Sequence, residues 1–261
     1  GITSLGDGRF VVSSTKKHKS LSVFSANGEF ECVIGSGIVS KSIGGLYFDI
    51  NRNLLFVADC GKHQIHIFSN VNGKWMLIRS IGSRGIANGQ FNVPYDVAVI
   101  NNEFVVSDID NHRLQFFDIT TGIFIRSVGS LGNGPNKFDS PSGMFFDASS
   151  NSLYVCDLCN SRICVLTSNG LFKRSFSSED NQLDPCDVCV SDDGQFVVVS
   201  DRMNYCIQVF RNDGSFVTSY GSRGNGNGQL SYPCDICLNN EGDLLICDNG
   251  NNRVVRIHAI N

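Results

Sequence analysis

The chain has 261 residues, 41% of them hydrophobic and 18% charged, enough for one β-rich domain or two ordinary ones. Its longest apolar runs, such as "QFVVVS", are strand-sized and far short of the ~20 residues a membrane-spanning helix needs. A net charge of -4 excludes a protein that is basic throughout but leaves open how charge divides between faces.

Cysteine usage bears on compartment. There are 11 cysteines, an odd number, and several lie inside apolar runs ("LYVCD", "LLICD", "ECVIG"), where a free thiol packs as a small hydrophobe. No Asn-x-Ser/Thr sequon occurs. Both observations favour a reducing, cytoplasmic home. The opening "GITSLGDGRF" has neither the basic nor the apolar part of a targeting segment.

In chain order, six copies of one pattern fill the sequence: "STKKHKSLSVF" from Ser14, "ADCGKHQIHIF" from Ala58, "SDIDNHRLQFF" from Ser107, "CDLCNSRICVL" from Cys156, "SDRMNYCIQVF" from Ser200 and "CDNGNNRVVRI" from Cys247. The anchors Thr15, Asp59, Asp108, Asp157, Asp201 and Asp248 are 44, 49, 49, 44 and 47 residues apart. Loop-then-strand signals precede four of them: "GSRGIANGQFNVPYDVAV" from Gly82, "GSLGNGPNKFDSPSGMFF" from Gly129, "SSEDNQLDPCDVCV" from Ser177 and "GSRGNGNGQLSYPCDICL" from Gly221. Each unit reads as four short strands, a to d, which in the third copy fall at about 95–99, 103–107, 113–118 and 123–128. Nothing reads as a helix. Four antiparallel strands per ~45 residues, repeated in phase, predict an all-β six-bladed propeller. The blades run approximately 1–35, 36–82, 83–129, 130–177, 178–221 and 222–261 of a single domain, and the last lacks its outer strand.

The paired motifs, Gly-x-x-Gly...Gln-Phe-x-x-Pro-x-Asp/Gly and Asp-x-x-Asn-x-Arg-Ile/Val, resemble those of the NHL-repeat propellers found at the C-terminus of tripartite-motif proteins, over essentially the whole chain. "TKKHKS" and "DCGKHQ" depart from the pattern, and Cys206 replaces the arginine in the fifth copy. The resemblance implies that an upstream segment supplies the missing outer strand, leaving an unpaired edge here. It also implies a non-enzymatic module that binds RNA in some members and proteins in others, often in post-transcriptional repression or ubiquitin transfer. Any ligase chemistry would belong to a RING domain elsewhere.

A role repeated in every blade is structural. Asp59, Asp108, Asp157, Asp201 and Asp248 are therefore expected to hold the b–c turn as Asx-turns do, with Asn111, Asn160, Asn204 and Asn251 beside them and Arg113, Arg162 and Arg253 reaching back to the carboxylates. The Cys-x-x-Cys pairs Cys186/Cys189 and Cys234/Cys237 suggest zinc, but residues three apart on a strand face opposite ways, so a packing role is preferred and no metal or cofactor is expected. Asp96, Asp187 and Asp235 begin innermost strands; they either line a channel mouth, where a cation or water rests, or bond neighbouring amides and arginines. Nucleophile-elbow, zincin and P-loop patterns are missing, and "GNGNG" at 224–228 precedes no helix.

Alternating connectivity puts the d–a and b–c connections on one face. That sorting assigns to it 15 of the 21 basic residues, Arg79, Arg126 and Arg174 among them, and 13 of the 25 acids. Setting aside the repeat aspartates and their arginines leaves an excess of seven positive charges. Basic residues interspersed with rings suit single-stranded or hairpin RNA. The expected contacts are Lys16, Lys17, Lys62, His63, Arg84, Tyr95, His112, Arg202, Tyr205, Arg223 and Asn249. Three functions stay in play: an RNA-binding module, a monomeric scaffold for regulatory proteins with no membrane contact, and a lyase-type propeller enzyme.

Overall fold

The computed structural model describes residues 1–13, 19–178 and 182–258. Their strands form six antiparallel sheets, and the fold is a six-bladed β-propeller. The chain divides into two compact units, residues 1–127 and 128–261. In the first unit the sheets are β1 (Ile2–Ser4), β2 (Phe10–Ser13), β3 (Leu21–Phe24) and β4 (Phe30–Ile34); β5 (Ile43–Asp49), β6 (Leu54–Asp59), β7 (Gln64–Val71) and β8 (Lys74–Ile81); and β9 (Pro94–Ile100), β10 (Glu103–Asp108), β11 (Arg113–Asp118) and β12 (Phe124–Val128), which runs to the boundary. The second unit holds β13 (Pro141–Asp147), β14 (Ser152–Asp157), β15 (Arg162–Thr167) and β16 (Phe172–Phe176); β17 (Pro185–Val190), β18 (Phe196–Asp201), β19 (Cys206–Arg211) and β20 (Phe216–Tyr220); and a three-stranded sheet of β21 (Pro233–Leu238), β22 (Leu244–Asp248) and β23 (Arg253–Ile257). Among the described residues, no strand pairs with the outer edge of β23.

Burial changes across each sheet, and sequence follows it. Every residue of the innermost strand β17, "PCDVCV", is buried, whereas every residue of the outer strand β20, "FVTSY", is exposed. A strand covered on both faces needs a continuous apolar run, and a strand at the rim does not. The outer strands β4, β8, β16 and β20 share a register shift opposite Phe24, Phe68, Leu166 and Phe210. Such a bulge twists an edge away from flat pairing with another chain.

The core lies between facing sheets. Leu21, Val23, Leu55, Val57 and Phe68 fill the space between the first two, and Phe56, Phe91, Phe104 and Phe117 the space between the next two. Phe104 and Phe117 stack with centroids 5.0 Å apart. In the second unit Tyr154, Val165, Val188 and Phe210 form one layer, and Cys189, Ile207, Leu230 and Ile246 another. Among the described residues, helix is confined to single 3-10 turns at Ile109–Asn111, Leu158–Asn160 and Asn249–Asn251. No helix among the described residues is long and apolar enough to cross a membrane.

This layering makes a position-dependent prediction. Phe104→Ala, at a fully buried ring, is expected to lower stability by about 3–5 kcal/mol. Phe216→Ala, at a ring 45% exposed on the rim, is expected to change it by less than about 1 kcal/mol. Urea titration compares the two directly; equal shifts in midpoint would contradict the layered core.

Candidate functional site

In five of the sheets the end of the b strand is tied to the d–a connection that enters the same sheet. Asp59, Asp108, Asp157, Asp201 and Asp248 are fully buried. Each accepts a backbone N–H from that connection: Ser40, Asn92, Asp139, Asp184 and Ser231, at 2.6 to 3.1 Å. These donors lie 16 to 19 residues earlier in the chain, so the local Asx-turn expected from sequence is replaced by a clamp between two connections. The reason is geometric: a carboxylate at the strand terminus faces the adjacent a strand's entry loop rather than curling onto its own turn. Only Asp59 also receives a local amide, from Lys62, at 2.9 Å.

Asn and Arg complete the clamp. Asn111 donates to Asp108 at 2.7 Å and to the Gly85 carbonyl at 3.0 Å; Asn160, Asn204 and Asn251 repeat this with Gly132, Gln182 and Gly224. Arg113, Arg162 and Arg253 each place Nε 2.8 to 2.9 Å from the aspartate. Their remaining nitrogens bind carbonyls of the same loops, such as Ala87 and Gln90 for Arg113. The fifth copy, which lacks that arginine, uses Gln208 on Asp201 and pairs Arg202 with Asp184 at 2.9 Å. In the second copy His66 contacts Asp59 at 3.2 Å.

Beside the clamp, one position in five copies and a second in three lie in the left-handed backbone region. The residue after the Asn position is His63, His112, Ser161, Tyr205 or Asn252, with φ of 52 to 59°. The residue before the a-strand proline is Val93, Ser140 or Tyr232, with φ of 63, 59 and 52°. For a bulky or β-branched residue this is a strained conformation, retained only where surroundings over-determine it. Side chains there stand on the loops instead of inside a strand.

In the second unit the two positions meet. Tyr205 and Tyr232 have ring centroids 5.2 Å apart at 59°, and their hydroxyls are hydrogen-bonded, which raises the Tyr205 phenol. Arg223 stacks its guanidinium 5.1 Å above the Tyr205 ring, a cation–π contact. Tyr232 is 39% exposed. Sequence reading missed Tyr232, although its signal was present: it occupies the variable position before Pro233 that holds Val93 and Ser140 in other copies. In the first unit the equivalent residues are His63, Val93 and Arg84, and His63 Nδ1 accepts the Val93 N–H at 3.2 Å.

Other expected contacts are placed as follows. Arg84, Arg223 and Asn249 are exposed on the loops. Lys62 is exposed, with Nζ donating to the Ile38 carbonyl. Tyr95, the second residue of β9, is half-buried, and its carbonyl lies against Gly44 of β5. Lys16 and Lys17 lie outside the described residues. Three cations assigned to this face turn elsewhere: Arg79 donates to the Thr120 carbonyl and Arg174 to Asn212, both in c–d connections, and Arg126 pairs with Glu103 at the start of β10. A long side chain in mid-strand reaches either end of the sheet, so topology alone misplaces it.

Asp187 accepts the Val188 amide and, across to the last sheet, the Ile236 amide, each at 2.8 Å. Asp96 bonds the Val97 amide at 2.7 Å and fills the space beside Gly45. Cys186 and Cys189 are buried in β17, with Cys189 inside the apolar layer.

Comparison with known proteins places this geometry in context. Residues 88–197 match a family described as a 6-bladed beta-propeller, and residues 230–257 match the NHL repeat. The chain is 29% identical over 142 residues, 54% of its length, to the Drosophila melanogaster protein brain tumor, and spans 13% of that protein. A streptogramin B lyase structure superposes with a TM-score of 0.70 at 15% identity, covering all of this chain and 83% of the other. A chain of a nidogen/laminin complex gives 0.72 at 13% identity, covering 99% and 89%. At these identities the structural likeness shows the fold alone.

The clamps make opposite predictions on acidification. Burial raises the Asp59 carboxyl, but hydrogen bonds from His66, Ser40 and Lys62 outweigh it and leave the pKa below 3.8. Its stabilisation is present above 3.8 and lost as pH falls through the lowered value. Burial dominates at Asp108 and raises it, with Asn111, Asn92 and Arg113 offsetting only part. Its folded form takes up a proton first, so stability rises as pH falls through that raised value. The melting-temperature gap between wild type and Asp59→Asn should therefore narrow below pH 3.8, while the gap to Asp108→Asn widens as acidification begins. Parallel trends would contradict this assignment.

Proposed function

We propose that this chain, a six-bladed β-propeller of NHL repeats, is a binding module whose loop face takes single-stranded or hairpin RNA. The observation that carries the reading is the Arg223–Tyr205–Tyr232 cluster, in which strained loop positions display two touching rings, one of them under a guanidinium. Unstacked bases gain about 1–3 kcal/mol each by stacking on such rings, and duplexes hide the base faces that this needs. His63, Arg84 and Lys62 provide a second basic, ring-bearing cluster in the first unit. Lys16, Lys17, Tyr95, His112, Arg202 and Asn249 remain candidate contacts around these.

Local contacts carry affinity in this reading. No catalytic step is assigned to the module. Its setting, a longer cytoplasmic regulator acting after transcription, belongs to the same proposal, as does the division into six blades of one monomeric domain.

A second reading has its own observation. Ile86 and Leu131 are 80% and 59% exposed on the same loops, and apolar side chains in that setting suit a protein partner.

Binding of a random RNA pool at two salt concentrations separates the readings. Arg84→Glu/Arg223→Glu is expected to weaken binding and to lower the salt slope by about 1 for each phosphate that is no longer neutralised. Tyr232→Ala should weaken it by about 1–3 kcal/mol without altering the slope. A wild-type chain that retains no RNA at low salt would remove the RNA reading and leave the protein-binding one.

A further inference from the structure

The second residue of an inner strand reaches toward the next blade. In the second unit Ser142 Oγ donates to the Pro185 carbonyl at 3.1 Å. A Cβ on the neighbouring Gly143 would stand only 2.7 Å from the Cys186 carbonyl oxygen. One blade further on, the same repeat position is Cys186 in β17 and Cys234 in β21. The Asp187–Ile236 hydrogen bond and a Ser200 hydroxyl donating to the Cys234 carbonyl hold those strands in fixed register beside the sulfurs. The two thiols are hydrogen-bonded to each other, and neither is in a disulfide.

Their environments differ. Cys186 is 1% exposed, while Cys234 is half-buried and its sulfur contacts the Tyr232 carbonyl at 3.3 Å. The hydrogen bond from Cys186, with Arg202 in support, holds the Cys234 thiol below its ordinary value against the opposing effect of burial. Burial pushes the nearby Cys189, Cys237 and Cys247 thiols upward instead. An accessible, thiolate-prone cysteine beside a shielded partner is the arrangement of an attacking and a resolving thiol.

We propose that Cys186 and Cys234 form a peroxide-oxidised thiol pair whose disulfide joins β17 to β21 two residues along the chain from the exposed Tyr232 ring. The Cys234 thiolate attacks one oxygen of hydrogen peroxide, the O–O bond breaks, and the departing hydroxide takes a proton to leave as water. Cys186 then attacks the resulting sulfenic sulfur and expels its oxygen as a second water. Two thiols are oxidised and one peroxide is reduced. Disulfide formation removes the S–H group that contacts the Tyr232 carbonyl, so oxidation acts two residues from the exposed ring. The consequence for RNA rests on the function proposed above; the cross-link does not.

Peroxide treatment of the folded chain, alkylation and digestion without reductant test it. Two of the 11 free thiols should be lost, one peptide pair should link residues 186 and 234, and dithiothreitol should reverse both. Cys186→Ser should leave Cys234 as a sulfenic acid that dimedone traps, and Cys234→Ser should abolish the link. A folded chain in which Cys234 stays unmodified, or in which the exposed Cys159 is oxidised in its place, would overturn the proposal. If the link forms and RNA affinity is unchanged by oxidation, the coupling to the rings is overturned alone. If the reduced chain binds no RNA, the peptide result still decides the thiol pair.

Discussion

The buried carboxylate that ends the b strand in five of the sheets is the constraint on which the other features of their loops depend. An unpaired charge at zero exposure is costly, so it survives only with donors on every side. Those donors come from three places: the d–a connection, the b–c turn and the adjoining c strand. One residue thereby fixes two connections relative to each other. Long irregular loops otherwise leave backbone groups unsatisfied and mobile; here arginine and asparagine side chains cap the loop carbonyls.

Substitution within the clamp shows what it tolerates. Arginine can be absent, as in the fifth copy, provided that glutamine reaches the carboxylate and another cation ties the loop. Histidine can stand in for both, as His66 does beside Asp59. Backbone donation from the d–a connection persists in all five aspartate copies. That constancy separates the platform from what it displays. Tyr205, Tyr232, His63 and His112 sit in left-handed conformations that their side chains disfavour, and the clamp is what holds them there.

Charge and shape then make different statements about the same face. Mid-strand arginines turn toward the opposite end of their sheets and bond carbonyls there. Locally, guanidinium and rings are concentrated at single blade-to-blade steps. A ligand that stacks and touches few phosphates fits this distribution better than one held by a broad positive field.

Repetition made the fold legible. A single Asp-x-x-Asn-x-Arg is weak, but six full or degraded copies in phase at 44 to 49 residue spacing point to the blades, and the strands expected in the third copy differ from β9–β12 by no more than one residue at any end. That Asn111 and Arg113 would bond Asp108 was legible for the same reason, although their reach to residues 85–92 was not. Tertiary structure alone decided which way Arg79, Arg126 and Arg174 point, because a long flexible side chain can follow either direction of its strand. It alone paired Tyr205 with Tyr232 and Cys186 with Cys234 as well. Those partners belong to different repeats, and their distance depends on how one sheet packs against the next, a quantity that no periodicity within the chain encodes.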